Sequence, residues 1–578
     1  MTIRIARGGD APEPAGRAGM SRRGMLAGLA GVGLAGGAGY VPAAVADTAA
    51  VSRSLEFDVL RHQAAGDGVT DDTAAIQSAI DAAAAAGGGV VSFPAGTYKV
   101  SIRYGTNALT LRANVTLRGA GPNASTIRLA NAQGEYLGIL TSGQGDAGGA
   151  RIEDLCVDQN NTNNQLTSTR SLMSGKPRFC VYVTAASAGI AVRRVRFTDQ
   201  DNVSAISANG TVGNLLVAEC VFEYGSSPID HDHSAIYHHS TTAQSCWVTN
   251  NVFTTKGSGS KSARTAIETH GSSQTITGNR ISNYRVGINL TGVGHTTGEG
   301  IVCAGNSIMD AAIGVQLWSM PYVGGINTSP GLRNVTIRSN TITLDTQGWA
   351  PFFVAGLSVA GIRLATATVG IENATIDGNT IVFRNGTYAG SSKTDSGANG
   401  IDWYRPVLSA TATDTNVRIS GNHVENALAA GIRVSCHGRY VTVRDNTVLN
   451  TGRGTVAAGG TVLNSYATGI SMTGVLTGSR VSDNHIVDNQ ATHTMDTALW
   501  LYPLASGGGR NEAIGNHAEG YRTKLVQTHA QNGGWYVRMS ATSFTNPGGR
   551  LLVGSEITEW STGRVHRQTT APEGATWT

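Results

Sequence analysis

Residues 248–253 read VTNNVF, and the same pattern returns along the chain. It is ITGNRI at Asn279, CAGNSI at Asn306, IRSNTI at Asn340, IDGNTI at Asn379, ISGNHV at Asn422, VRDNTV at Asn446 and VSDNHI at Asn484, with a degenerate AIGNHA at Asn516. Steps of 24 to 43 residues separate the copies. Repeats of this size and variable step fit a solenoid whose coils carry loops of different length. The Asn is expected to be a ladder residue. Amides stacked at a tight turn can hydrogen-bond from coil to coil.

A second strand follows each Asn strand: AISAN, AIYHH, AIETH, GINLT, GVQLW, GIRLA, GIDWY, GIRVS, GISMT and ALWLY. Its apolar positions belong to a core, and strand alternation turns the others outward in two columns. One column is Ser207, Tyr237, Glu268, Asn289, Gln316, Arg363, Asp402, Arg433, Ser471 and Trp500. The other is Asn209, His239, His270, Thr291, Trp318, Ala365, Tyr404, Ser435, Thr473 and Tyr502. Parallel strands lie about 4.8 Å apart. The columns are therefore expected to form a long solvent-exposed strip of acids, arginines, amides and aromatic rings, suited to sugars. Insertions before Ile267, Ile362, Ile401 and Ile470, and from Ser319 to Asn334, are expected to wall this strip.

Upstream, Thr70-Asp71-Asp72 offers helix N-cap chemistry, and Ala74, Ile76, Ala79, Ile80 and Ala83 make a helical stripe that Gly87 to Gly89 ends. Strands over Val90–Phe93 and Thr97–Val100 follow across a Pro94-Ala95-Gly96 turn. Residues 57–100, FDVLRHQAAGDGVTDDTAAIQSAIDAA…GGGVVSFPAGTYKV, resemble the N-terminal module of the pectate-lyase-like right-handed β-helix superfamily. The resemblance implies an all-β fold, a single-stranded right-handed parallel β-helix with an N-terminal capping α-helix. It implies no particular reaction, because the family holds hydrolases, lyases, epimerases and binding proteins. The motifs of its pectin hydrolases are missing. Asp71-Asp72 lies in the cap, and Cys436-His437-Gly438 and Gly431-Ile432-Arg433 are partial echoes, so no catalytic residue is carried over.

The expected organisation is a twin-arginine signal over 1–46, an N-terminal cap and first coils over 47–125, the β-helix over 126–526 and a C-terminal cap or appendage over 527–578. The signal reading rests on Ser21-Arg22-Arg23-Gly24-Met25-Leu26, a Gly/Ala run and a small-residue site at Ala44-Val45-Ala46. It implies a secreted protein, free of the membrane after cleavage. Residues 1–46 carry five arginines against Asp10 and Glu13, so the net charge of +4 falls to +1 beyond them. That balance gives no footing for nucleic acid. The six cysteines lack zinc spacing and are expected as buried thiols.

Acid–base groups concentrate in residues 229–271, IDHDHSAIYHHS and then AIETHG. With Ile236 and Ile267 inward, Tyr237, His239, Glu268 and His270 face outward together. Asp230, His231, Asp232 and His233 lie just ahead. Hydrolysis of a glycosidic bond needs two carboxylates about 5–5.5 Å or 6.5–9.5 Å apart. Glu268 and Asp402 are four strands, about 19 Å, apart and are rejected. Glu268 with Asp230 or Asp232 is the candidate pair, and His239 or His270 would tune a carboxylate or bind sugar. Elimination on a uronate would instead draw charge from Arg363 or Arg433 and a base or acid from His270, Tyr237 or Tyr404. The third arrangement is calcium held by Asp230, Asp232 and Glu268; otherwise no metal or cofactor is assigned.

The expected function is cleavage of a polysaccharide, hydrolysis favoured over elimination, with catalytic Glu268, Asp230, Asp232 and His270. Substrate contacts are expected from Tyr237, His239, Asn289, Gln316, Trp318, Arg363, Asp402, Tyr404 and Arg433. The competing class is a non-catalytic glycan-binding or tailspike-like adhesin. Oligomeric state is left open, a homotrimer being compatible.

Overall fold

The computed structural model describes residues 55–568, except 104–105, 144, 166–176, 185–186, 211, 226–232, 241–244, 256–263, 292–297, 320–330, 347, 350–358, 367–369, 385–386, 389–397, 405–412, 454, 457–466, 504–510, 529–534 and 544–554. The insertions expected to wall the strip fall largely in the excepted segments and lie outside the described residues.

Most strands pair in parallel with the strand three places before and three places after. One ladder runs Phe179–Val183, Ile206–Gly210, Ser234–Ser240, Thr265–His270, Val286–Thr291, Ile313–Ser319, Ala360–Thr366 and Asn399–Tyr404. Skipping two strands between partners makes each coil a triangle of three strands: a parallel β-helix. Apolar side chains of all three sides meet in one continuous core. Like stacks on like. Phe197, Phe222 and Phe253 lie ring on ring at 4.9 and 4.6 Å. Ile281, Ile308, Ile342 and Ile381 continue the same register position. Residue identity thus repeats because position repeats.

The Asn residues form the expected ladder. Oδ1 of Asn279 accepts the backbone N–H and the side-chain amide of Asn251, both at 3.0 Å. Asn306 does the same for Asn279, at 3.0 and 2.9 Å. The run continues through Asn340, Asn379, Asn422, Asn446, Asn484 and Asn516. Each ladder amide also reaches a main-chain carbonyl one coil back, as Asn279 Nδ2 does to Val248 O at 2.9 Å. The residue before each Asn is left-handed: Gly278 at φ 67°, Ser339 at 53°, Asp445 at 55°, Gly515 at 72°. That explains the Gly, Asn, Asp or Ser at this position. At Gly278 a Cβ would come within 2.2 Å of Asn250 Oδ1.

The helix Thr73–Ala85 buries Ile76, Ala79, Ile80 and Ala83 and packs on the strands of the first coil. The expected cap divides its work between the two aspartates. Asp72 accepts from the backbone N–H groups of Ala65 and Gly66, at 2.6 and 3.1 Å. Asp71 takes the N–H of Thr73 instead, at 3.0 Å. At the other end the coils pass the expected boundary at 526. Trp535–Ala541 pairs in parallel with Asn511–Glu519, and Glu556–Glu559 pairs with Trp535–Ala541. Val565–Arg567 then folds back antiparallel. All six cysteines are free and buried, and burial raises the thiols of Cys156, Cys220, Cys246 and Cys303 to about 12. No helix among the described residues is long and apolar enough to cross a membrane.

Replacing Asn340 by Leu removes one acceptor shared by two donors and two donated bonds, and strands the buried N–H of Asn306. A loss of about 2–4 kcal/mol in urea-induced unfolding is expected. A loss under about 0.5 kcal/mol would contradict a supporting role for the ladder.

Candidate functional site

The two columns have the register read from sequence. Tyr237 faces Glu268, and His239 faces His270. Glu268 faces Asn289, which faces Gln316, then Arg363, Asp402 and Arg433. Strand alternation sorts the histidines. His238 points into the core, with Nε2 3.4 Å from Val212 O, and burial lowers it to about 4. His233 is also buried, with Nδ1 2.8 Å from Asn202 O and its ring against Tyr224. His239 and His270 lie on the opposite face with centroids 5.4 Å apart.

Glu268 is the most heavily hydrogen-bonded member of this group. Its Oε1 accepts from His270 Nε2 at 2.9 Å and Asn289 Nδ2 at 3.3 Å. Its Oε2 accepts from the Ser234 hydroxyl at 2.5 Å. Burial pushes this carboxyl up, but the hydrogen bond and charge of His270, then Ser234 and Asn289, outweigh it and hold it below the ordinary glutamate value. A carboxyl held ionised suits orientation and charge stabilisation, not proton donation to a leaving group. His270 is engaged at both nitrogens, since Thr291 Oγ1 lies 3.1 Å from Nδ1. His239 differs. Its Nδ1 is 3.4 Å from the Tyr237 hydroxyl, and burial, then the neighbouring His270, lower it to about 4 against the pull of Glu268. It is neutral at neutral pH.

The first column is largely buried, which corrects the expectation of an open strip. At strand spacing, neighbouring polar side chains partner one another in place of water. Gln316 Nε2 donates to Asn289 Oδ1 at 3.3 Å. Asp402 is 0 % exposed and Arg433 7 %. Arg433 grips Asp402 with Nε and Nη2 at 2.7 and 2.9 Å. That fork spends both charges internally, so neither residue is a free sugar contact, contrary to expectation. Arg363 is 4 % exposed, with its guanidinium 5.8 Å from the Trp318 ring centroid. Three strand steps, about 14 Å, separate it from the Glu268 position, too far to serve a sugar reacting there. Asp230, His231 and Asp232, and the side chain of Tyr404, lie outside the described residues. So does the calcium arrangement that needed the two aspartates. Ser234 and Thr291, which fix Glu268 and His270, were not assigned from sequence. A hydroxyl at a strand start carries no pattern, though Thr291 stood in the second column.

A second cluster lies at the far end. Ligand atoms of His485, His517 and Glu519 lie within 4.8 Å of one another, the one group of three or more His, Cys, Asp or Glu so placed among the described residues.

The fold and these columns define a solenoid with a polar face. Comparison with known proteins agrees on the class. Residues 57–316 match the family described as Rhamnogalacturonase A/epimerase, pectate lyase-like, and residues 372–567 match Periplasmic copper-binding protein (NosD). The match places a pectate-lyase-like domain over residues 57–316, and the fold is that of a parallel β-helix. It is 42 % identical over 113 residues to mannuronan C5-epimerase AlgE5 of Azotobacter vinelandii, and 43 % identical over 115 residues to alginate lyase 7 of the same organism. Each match covers 19 % of this chain, and the chain spans 11 % and 13 % of those two relatives. A mutant tailspike protein of E. coli bacteriophage HK620, in complex with pentasaccharide, superposes with a TM-score of 0.52 at 17 % identity. That likeness covers 79 % of this chain and 75 % of the other, and shows the fold.

The lowered His239 has a consequence for pH. An ordinary histidine titrates near 6.5. Between about 6.5 and 4 the unfolded chain binds more protons than the folded one at His239 and His238. Stability should therefore fall as pH drops through this window, and the His239 ring should titrate near 4 by NMR. A midpoint near 6.5 would contradict the burial of this ring.

Proposed function

We propose that this protein cleaves a uronic-acid polysaccharide by β-elimination. The observation that carries the reading is the Tyr237 hydroxyl 3.4 Å from a neutral His239, beside a glutamate held ionised. His239 removes the C5 proton of a uronate residue. The electrons of that C–H bond form the C4=C5 double bond as the C4–O bond breaks, and Tyr237 protonates the departing oxygen. Glu268 and Thr291 hold His270 against the same face. Trp318, partly exposed three strands from Tyr237's neighbour His239, offers a ring to a sugar further along the polymer.

Three considerations favour elimination over the alternatives. Hydrolysis needs a protonated carboxyl, and Glu268 is held in the opposite state. Inversion at C5 needs proton donor and acceptor on opposite faces of the sugar, whereas Tyr237 and His239 project from one strand on one side. The curated relatives include an alginate lyase and mannuronan C5-epimerases, whose names place them on uronate polymers. A binder without activity has no use for a neutral histidine paired with a phenol. The twin-arginine pattern at Ser21–Leu26 supports action after export.

Incubation with alginate, pectate and other uronate polymers should yield an ultraviolet-absorbing unsaturated uronate at new chain ends. Tyr237→Phe and His239→Gln should each lower that rate on the order of 10²–10⁴-fold while remaining folded. New reducing ends without absorbance, or full activity in His239→Gln, would overturn the proposal.

A further inference from the structure

The structure assigns a divalent transition-metal site to His485, His517 and Glu519, apart from the Tyr237–His270 face. Consecutive coils build it. His485 and His517 occupy the same register position on neighbouring strands, and Glu519 lies two residues beyond His517 on the same face. The two imidazoles are 5.3 Å apart, and His517 Nε2 meets Glu519 Oε1 at 2.7 Å. The remaining nitrogen of His517, Nδ1, is 3.0 Å from the Ser540 hydroxyl of the next coil. Ligating histidines are typically held in this way by an outer partner that fixes the ring and its tautomer. The Trp560 ring packs on His517 at 4.6 Å and covers one side.

Two imidazoles and one carboxylate suit zinc or copper rather than calcium or magnesium, which take oxygen ligands. Tetrahedral ligation at about 2.0–2.1 Å brings donors to about 3.4 Å apart. The ligand atoms now lie within 4.8 Å, and rotation of the exposed His485 side chain closes that gap. On binding, His517 takes the neutral tautomer with its proton on Nδ1, donated to the Ser540 hydroxyl, so that the Nε2 lone pair and the Glu519 carboxylate turn to the metal. Water completes the shell. The ion would tie the strand His485–Val487 to Asn511–Glu519, backed by Trp535–Ala541, and so clamp the last coils.

The test uses the full chain, stripped of metal and titrated calorimetrically with Zn²⁺, with thermal unfolding followed in parallel. One Zn²⁺ per chain is expected to disappear in His485→Ala, or to bind at least about tenfold more weakly, with the same result in Glu519→Gln. Zn²⁺ should raise the unfolding temperature of the wild type and not of the variants, and Ca²⁺ should raise neither. Because His485 is exposed, its variant keeps the fold. Equal Zn²⁺ stoichiometry, affinity and thermal shift in wild type and His485→Ala would overturn the assignment, as would failure of the wild type to bind Zn²⁺.

Discussion

The asparagine ladder is the constraint on which the rest of the structure depends. Each amide oxygen takes two N–H groups from the coil before it, and each amide nitrogen passes one bond on and one back. These groups are buried, where an unpaired donor or acceptor costs about 1–3 kcal/mol. A coil slipped by one residue would leave several such groups unpaired and would turn its apolar residues outward. The ladder therefore fixes the rotation of the coils from Asn251 to Asn516 about the solenoid axis. Stacked phenylalanines and isoleucines then fill the interior without adjustment from coil to coil.

Function follows from that fixed rotation. Because the coils are in register, residues 31 positions apart in the chain, Tyr237 and Glu268 or His239 and His270, become lateral neighbours. A strand presents alternate side chains to one face, so adjacent histidines 238 and 239 separate into a core packing group and a site group. Four titratable side chains meet on two strands. Their differing environments then divide the labour: Glu268 stays charged, His270 is held at both nitrogens, and His239 stays neutral.

Much of this was legible in the sequence, for a reason specific to solenoids. A repeat fixes which residues are neighbours, so the columns through Glu268 and His270 followed from alignment of the repeats alone. Burial did not follow. Outward from the core was taken as open to water, yet at about 4.8 Å spacing Asp402 and Arg433 satisfy one another and close the strip. Partners off the repeat were also missed. Ser234 precedes the repeated pentapeptide, and nothing in its position announces a bond to Glu268. The last coils escaped notice because Trp535–Ala541 carries no ladder Asn, although its backbone pairs as the earlier coils do. Thr70-Asp71-Asp72 left open which aspartate takes the helix N–H, since adjacent aspartates offer the same chemistry and only the fold decides which faces the helix.

The central claim is that this face breaks a carbon–hydrogen bond at C5 of a uronate, not merely a glycosidic bond. The most direct measurement uses a uronate polymer deuterated at C5 and follows the label by NMR as the polymer is converted. The account predicts that each new chain end forms with release of its C5 deuterium to water, and with a primary isotope effect where that step limits the rate. Chain ends that retain C5 deuterium would contradict it.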